Sequence, residues 1–269
     1  MHPLVELAKK EYFTGSHLNV DFVQLNSANK VSEEFRLEAN KLVRNFEDFP
    51  HAFVLAYLMD SGIDADKAWS IPYKVFEALG IFEIQKLYEI PLTKYIELFN
   101  DEKSVWHRYP TVKAKVFFDA IHKIVDNPFM NGDASRIWTG KPTSGDVIHR
   151  FLDFNGCGFK IANMCPNLLN RYFGIEFSEY SSIDIVPDVH TVRVFQRLGL
   201  TPKVDNFEIA KIYTITKARE INPNYPGIVD GLSWNVGRNY CDASKPDCSS
   251  CPLNEFCEKK INGSIEVWK

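Results

Sequence analysis

Apolar residues recur at helical spacing along most of this chain. In 112–125, Phe117, Ala120, Ile121 and Ile124 fall at i, i+3, i+4 and i+7, which lines one face of a helix. Val147, Ile148, Phe151 and Leu152 repeat the pattern in 144–152, behind a Thr143-x-x-Asp146 start signal. Asp205 and Glu208 resemble a capping box for a helix with Ile209, Ile212, Tyr213 and Thr216 on one face. His190 to Leu198 reads as a helix stopped by Gly199. Pro72 suits the first turn of a helix that ends at Gly80. Residues 52–59, AFVLAYLM, are apolar on every side, and the helical patterns around them favour a central core helix over a buried strand. No Asn-Gly hairpin between alternating strands and no internal repeat interrupts the series. The predicted fold class is therefore all-α. Residues 126–143 form the longest irregular stretch, either a connection between helices or a partner-facing insertion. The tail, 258–269, is expected on the surface.

A chain of 269 residues suggests one large or two small domains, and 45% hydrophobic residues can bury a sizeable core. No apolar run reaches transmembrane length, and MHPLVELAKKEYF lacks the pattern of a signal peptide. No membrane partner is expected, and the expected location is the cytoplasm (associated with the nucleoid in a bacterium or archaeon). The formal net charge of −4 does not by itself point to nucleic acid. A nucleic-acid footprint needs only one basic face, however. Two stretches are locally positive: 149–172, with Arg150, Lys160 and Arg171, and 186–203, with Arg193, Arg197 and Lys203.

The cysteines change the picture most. Cys241, Cys248, Cys251 and Cys257 follow the spacing C-x6-C-x2-C-x5-C in a polar, turn-rich stretch. Four thiolates complete an all-sulfur site for zinc or an iron–sulfur cluster. A zinc ribbon expects two C-x2-C pairs, and only one is present. Disulfides are the third possibility, and reducing cytosol disfavours them. Cys157 and Cys165 lie outside this group and read as ordinary buried thiols.

Residues 147–165, VIHRFLDFNGCGFKIANMC, describe an amphipathic helix, a tight turn at Gly156-Cys157-Gly158 and a second helix that starts at once. Glycines let the backbone approach a ligand closely, and the free N–H groups of a helix start suit a phosphate. Lys160 follows the turn immediately. From the residues alone, a lysine there reads as a phosphate contact or a merely solvated side chain. Downstream, Val186-Pro187-Asp188-Val189-His190-Thr191-Val192-Arg193-Val194 places Asp188 just before a helix, a natural N-cap position.

The cysteine spacing, the segment G-C-G-F-K-I-A-N and the Asp188 segment occur in one order. Together they resemble the endonuclease III-like helix-hairpin-helix (HhH-GPD) DNA glycosylases with a C-terminal iron–sulfur loop. The resemblance is strongest over 154–163, 186–194 and 234–257. It implies a six-helix barrel domain over 48–180 containing the hairpin. It also implies an iron–sulfur domain formed by both chain ends, 1–47 and 181–269, with a DNA cleft between the two. It implies a [4Fe–4S] cluster on Cys241, Cys248, Cys251 and Cys257. Lys160 matches the nucleophile of the bifunctional members and Asp188 the catalytic aspartate. Gly156 and Gly158 match the DNA-binding hairpin, and His190 and Arg193 match positions read as supporting or phosphate-contacting groups.

The implied function is a DNA glycosylase with AP-lyase activity. It would act as a monomer on double-stranded DNA carrying a damaged or mismatched base, which it flips out and excises. The alternatives are a monofunctional glycosylase and a non-catalytic iron–sulfur DNA-binding protein. Several departures surround the base pocket. Lys160 and Asp188 are further apart than in the family pattern, with the extra length in RYFGIEFSEYSSIDIVP. Pro166 should kink or end the second hairpin helix near Ala162. Gly62 stands where relatives place a glutamine that fills the gap left by the flipped base. His107 or Tyr109 is the expected wedge.

Overall fold

A computed structural model describes residues 2–12, 21–24, 31–101 and 104–259. Among these residues the protein consists of helices and turns, without a strand, as the apolar periodicity predicts. None of the described helices is long and apolar enough to cross a membrane. The chain divides into two compact units, one of residues 19–142 and 146–165, the other of 1–18, 143–145 and 166–269. The sequence reading draws its boundaries at 47/48 and 180/181 instead. Residues 33–44 pack against the helices that follow them, and this places them in the first of these units.

That first unit is organised around one helix. Six helices precede the hairpin: α2 (Glu33–Arg44), α3 (Pro50–Met59), α4 (Ala65–Leu79), α5 (Ile84–Tyr88), α6 (Leu92–Phe99) and α7 (Pro110–Asp126); α1 (Pro3–Tyr12) belongs to the other unit. All ten residues of α3 are buried, as its unbroken apolar run requires. Helices α2, α4 and α7 surround it. On α7 the buried stripe includes Phe117, Ala120, Ile121 and Ile124, the residues picked out by periodicity.

Helix α4 begins at Ala65, so Pro72 lies in its interior and not in its first turn. The cost of an interior proline is offset by the buried turn before it, where Trp69 stacks on Phe22 at 4.2 Å. Gly80 closes α4 with φ +69°, the left-handed stop expected. Residues 126–143 are a packed connection. Trp138 is 2% exposed and meets Phe46 at 4.9 Å and Phe53 at 5.6 Å.

The hairpin is formed by α8 (Ser144–Leu152) and α9 (Phe159–Phe173). Pro166 does not end α9, which runs on for seven more residues. Ala162, Cys165 and Leu169 are fully buried on either side of it, and this burial outweighs the one hydrogen bond that proline removes.

The second unit carries α10 (Val189–Arg197), α11 (Phe207–Ile221) and α12 (Asp230–Asn239), with α10 packed along α12. Asn206, not Asp205, caps α11; its Oδ1 accepts from Ile209 N at 3.1 Å. The apolar face predicted for α11 is largely exposed. Ala210, Thr214 and Ala218 are buried instead, small residues that let the helix approach its neighbours closely. The added length before Asp188 is packed within this unit. Ile183 and Ile185 are buried, Asp184 accepts two hydrogen bonds from Arg219 at 2.7 and 2.5 Å, and Tyr180 stacks on Tyr225 at 5.0 Å.

Candidate DNA-processing site

Lys160 is the second residue of α9 and is exposed. Two contacts fix its surroundings. Gly156 has φ +79°, and a Cβ there would meet Val116 Cγ2 at 2.8 Å, so α7 and the turn approach as only glycine permits. Gly158 has open space where a side chain would be and leaves the start of α9 uncovered. The Tyr57 hydroxyl donates to Ile161 O at 2.7 Å, which ties the last turn of α3 to the residue beside Lys160. An ammonium has the wrong sign for the positive end of a helix. Lys160 is therefore not explained by helix stability. Cys157 and Cys165 are buried as expected, and burial raises both thiol pKa values.

Asp188 is the N-cap of α10. Its Oδ1 accepts from His190 N at 2.9 Å, Thr191 N at 3.0 Å and Thr191 Oγ1 at 3.2 Å. Oδ2 has no hydrogen bond among the described residues, so capping occupies one oxygen and leaves the other for electrostatic work. His190 and Arg193, matched to phosphate-contacting or supporting positions, are engaged with backbone carbonyls. Arg193 donates from Nη2 to Gly237 O at 2.7 Å and from Nε to Cys241 O at 2.7 Å. His190 Nδ1 lies 3.0 Å from Arg193 Nη2 and 3.3 Å from Gly237 O.

Arg197, one turn further on, holds the next part of the same loop. It donates to Asp242 O at 2.6 Å, Ala243 O at 2.9 Å and the Cys241 sulfur at 3.3 Å. Its own carbonyl accepts from the Cys257 thiol at 3.4 Å. This clamp was not identified from sequence, where Arg197 counted only as local positive charge.

Cys241, Cys248, Cys251 and Cys257 line one recess together with Arg197, Tyr240 and Lys259, and all four are free thiols. Burial raises the thiol pKa values of Cys251 and Cys257, and the neighbouring cysteines raise them further. Four cysteine thiols around one recess are a donor set that suits an all-thiolate site, of the kind zinc or an iron–sulfur cluster uses.

Around the end of α3 lie the two residues read as candidate wedges, His107 and Tyr109. His107 is 2% exposed; its Nδ1 accepts from Tyr109 N at 3.0 Å and its Nε2 donates to Met59 O at 3.2 Å. That burial removes it from the surface. Tyr109 is 50% exposed and stands over Gly62, where a Cβ would lie 3.4 Å from its ring. Gly62 has φ +80°, a conformation in which any side chain would be strained.

No family model matches the sequence. Two curated proteins share part of it. Endonuclease III of Rickettsia felis is 32% identical over 109 residues, 38% of this chain and 42% of that protein. Endonuclease III of Rickettsia conorii is 31% identical over 113 residues, 40% of this chain and 44% of that protein. The matched region thus spans about two fifths of the length of these relatives.

Over the whole chain the likeness is one of fold. A trapped endonuclease III–DNA covalent intermediate superposes with TM-score 0.52 at 16% identity, covering 95% of this chain and 93% of that one. A non-covalent endonuclease III–DNA complex gives TM-score 0.50 at 18% identity, covering 95% and 92%. The fold is that of the helix-hairpin-helix DNA glycosylases. Within that class the likeness, in sequence and in architecture, is to the endonuclease III-like branch.

Proposed function

We propose that this protein is a base-excision DNA glycosylase with AP-lyase activity, and that Lys160 is its nucleophile. The observation that supports this most is the placement of Lys160. It is exposed at the start of α9, behind a glycine turn locked to α7, where the helix dipole gives a cation no stability.

In the proposed reaction the lone pair of the neutral amine bonds to C1′ of a flipped nucleotide. The glycosidic C1′–N bond breaks with its electron pair, and the departing base takes up a proton. The ring C1′–O4′ bond then opens, O4′ is protonated and a C1′=N Schiff base forms. Loss of a C2′ proton expels the 3′ phosphate. The uncapped Oδ2 of Asp188 would stabilise positive charge on the sugar. Duplex DNA with a damaged or mismatched base is the proposed partner, bound through N–H groups at the start of α9 and with Tyr109 as the wedge.

Cys241, Cys248, Cys251 and Cys257 would hold a [4Fe–4S] cluster, whose contribution is to fold and cross-link the loop. The monomer and the cytoplasmic location remain part of the same reading.

Borohydride trapping tests the assignment. It delivers hydride to C1′=N and makes the bond permanent. Wild-type protein should be captured on duplexes with an abasic site, and Lys160→Ala should lose both capture and nicking. Lys160→Arg should not rescue, because a guanidinium stays protonated. Excision by a wild-type protein that cannot be trapped would instead identify the monofunctional glycosylase.

A further inference from the structure

The last carbonyls of a helix have no partner within it, and in a buried helix they must find one elsewhere. At the end of α3 two side chains supply it. Lys113 Nζ donates to Leu58 O at 2.7 Å, and His107 Nε2 donates to Met59 O at 3.2 Å. For His107 this accounts for one ring nitrogen. The other, Nδ1, accepts from Tyr109 N at 3.0 Å. Only one state of the ring serves both contacts. The carbonyl needs a proton on Nε2, and the peptide N–H needs a lone pair on Nδ1, so the imidazole is neutral. Burial, and after it the charge of Lys113, favours that state by lowering the His107 pKa. The groups around this junction include Lys113 of α7 and Asp60 after α3, which acts on Lys113. They also include the carbonyls of Met59 and Ser61, Arg108 over the Tyr109 ring at 5.4 Å, and Lys74 of α4 over Trp106 at 6.0 Å.

Tyr109 is held along its backbone and left open at its ring. Its N–H is taken by His107, and its carbonyl accepts from Lys113 N at 2.9 Å. Pro110 follows and fixes the first turn of α7. The ring lies against Gly62, where a Cβ would stand 3.4 Å away, yet the residue is 50% exposed. Tyr109 occupies the N-cap position of α7 but makes no side-chain cap, so helix capping does not call for a tyrosine here. An exposed aromatic ring on a pinned backbone is suited to stacking on bases.

We infer that His107 is a positioning residue for Tyr109: it pins the tyrosine backbone to the end of α3, so that the ring stands ready to enter a duplex where a nucleotide leaves. The inference rests on the reading of Tyr109 as the wedge. Its physical gain is preorganisation, because a side chain ordered beforehand loses less freedom on insertion. The hold depends on the protonation state. A proton on Nδ1 turns the acceptor into a donor, two N–H groups then face each other, and the hydrogen bond is lost. With the His107 pKa lowered, the hold is complete at neutral pH and is released as pH falls below the ordinary histidine range.

The test uses the full chain, at saturating concentration, on a duplex that sets 2-aminopurine opposite a tetrahydrofuran abasic analogue, which cannot be nicked. Fluorescence of the 2-aminopurine reports a side chain entering the gap, and thermal unfolding is measured in parallel. Tyr109→Ala should lose the signal. If it keeps the wild-type signal, Tyr109 is no wedge and this inference falls with that reading, whatever borohydride trapping shows for Lys160. His107→Asn sets an amide oxygen near the place of Nδ1 and cannot take up a proton. It should keep the signal at neutral pH and hold it in acid, where the wild type loses it. His107→Gln keeps a donor for Met59 O but offers Tyr109 N no acceptor. It should insert roughly 5-fold less favourably at every pH, the scale of one lost hydrogen bond. A glutamine variant with the wild-type signal would overturn the inference and leave the wedge in place. So would an asparagine variant that loses its signal in acid as the wild type does, or a wild-type signal that stays flat down to the onset of acid unfolding. If the glutamine variant does not fold, the wild type against the asparagine variant across pH decides.

Discussion

Asp188 has two possible occupations, and its two oxygens divide them. The cap falls on Oδ1, while excision would use the charge carried by the whole carboxylate. Asparagine keeps the capping oxygen and loses the charge. Asp188→Asn should therefore change stability by less than about 1 kcal/mol, because Asn and Asp cap helices equally well. Excision per folded molecule should fall by ~10²-fold or more, the scale for losing one electrostatic contact in a transition state. Thermal unfolding and single-turnover excision on one preparation separate the two; a loss of stability with an undiminished rate would reduce Asp188 to a cap. At this scale the sequence foretold placement where a motif marks it: Lys160 stands in the first turn of α9, Asp188 caps α10 and the four cysteines share one recess. It was less readable where a polar residue acts through the fold. Lys113 lies one turn before Phe117 on the apolar stripe of α7, which was a visible anomaly, but nothing local could say that it meets the end of α3.

The cysteine loop is an element whose polar backbone is tied down by other elements. Arg193 and Arg197 hold the carbonyls of Cys241, Asp242 and Ala243, and Asp242 turns its carboxylate on Ser244 N at 2.8 Å and Lys245 N at 3.0 Å. Protein purified without chelators should be yellow-brown and contain about four irons per chain. One zinc per chain and no iron would refute the cluster. Helix existence was legible from apolar spacing, whereas helix ends and buried faces were less so. Pro72 and Pro166 mislead because proline's cost is local and the burial that offsets it is tertiary. Isoleucines suggested the wrong face of α11 because close packing there selects the smaller Ala210, Thr214 and Ala218.

At the scale of the whole molecule, acid stability depends on a group remote from any chemistry. His51 is 2% exposed in α3, its Nε2 lies 2.8 Å from Phe82 O, and burial lowers its pKa to about 4. The unfolded chain, with an ordinary histidine pKa, binds the proton more readily. Stability from this group is therefore complete above about pH 6.5 and is lost as pH falls toward 4, by up to ~3 kcal/mol. Denaturant unfolding at a series of pH values should show that slope, and His51→Gln should flatten it. An unchanged slope in the variant would assign the acid sensitivity elsewhere.

Arg193 and Arg197 lie on α10, the helix that Asp188 starts, and both reach into the loop that begins at Cys241. Whatever loosens that loop also slackens the support of the carboxylate. On the reading proposed above, a cell short of iron, or one whose clusters are being stripped by oxidants, would produce molecules that keep the Lys160 turn but lose the alignment of Asp188. Its capacity to repair DNA would then fall with its iron supply, through a mechanical link about nine residues long and without any electron passing through the cluster.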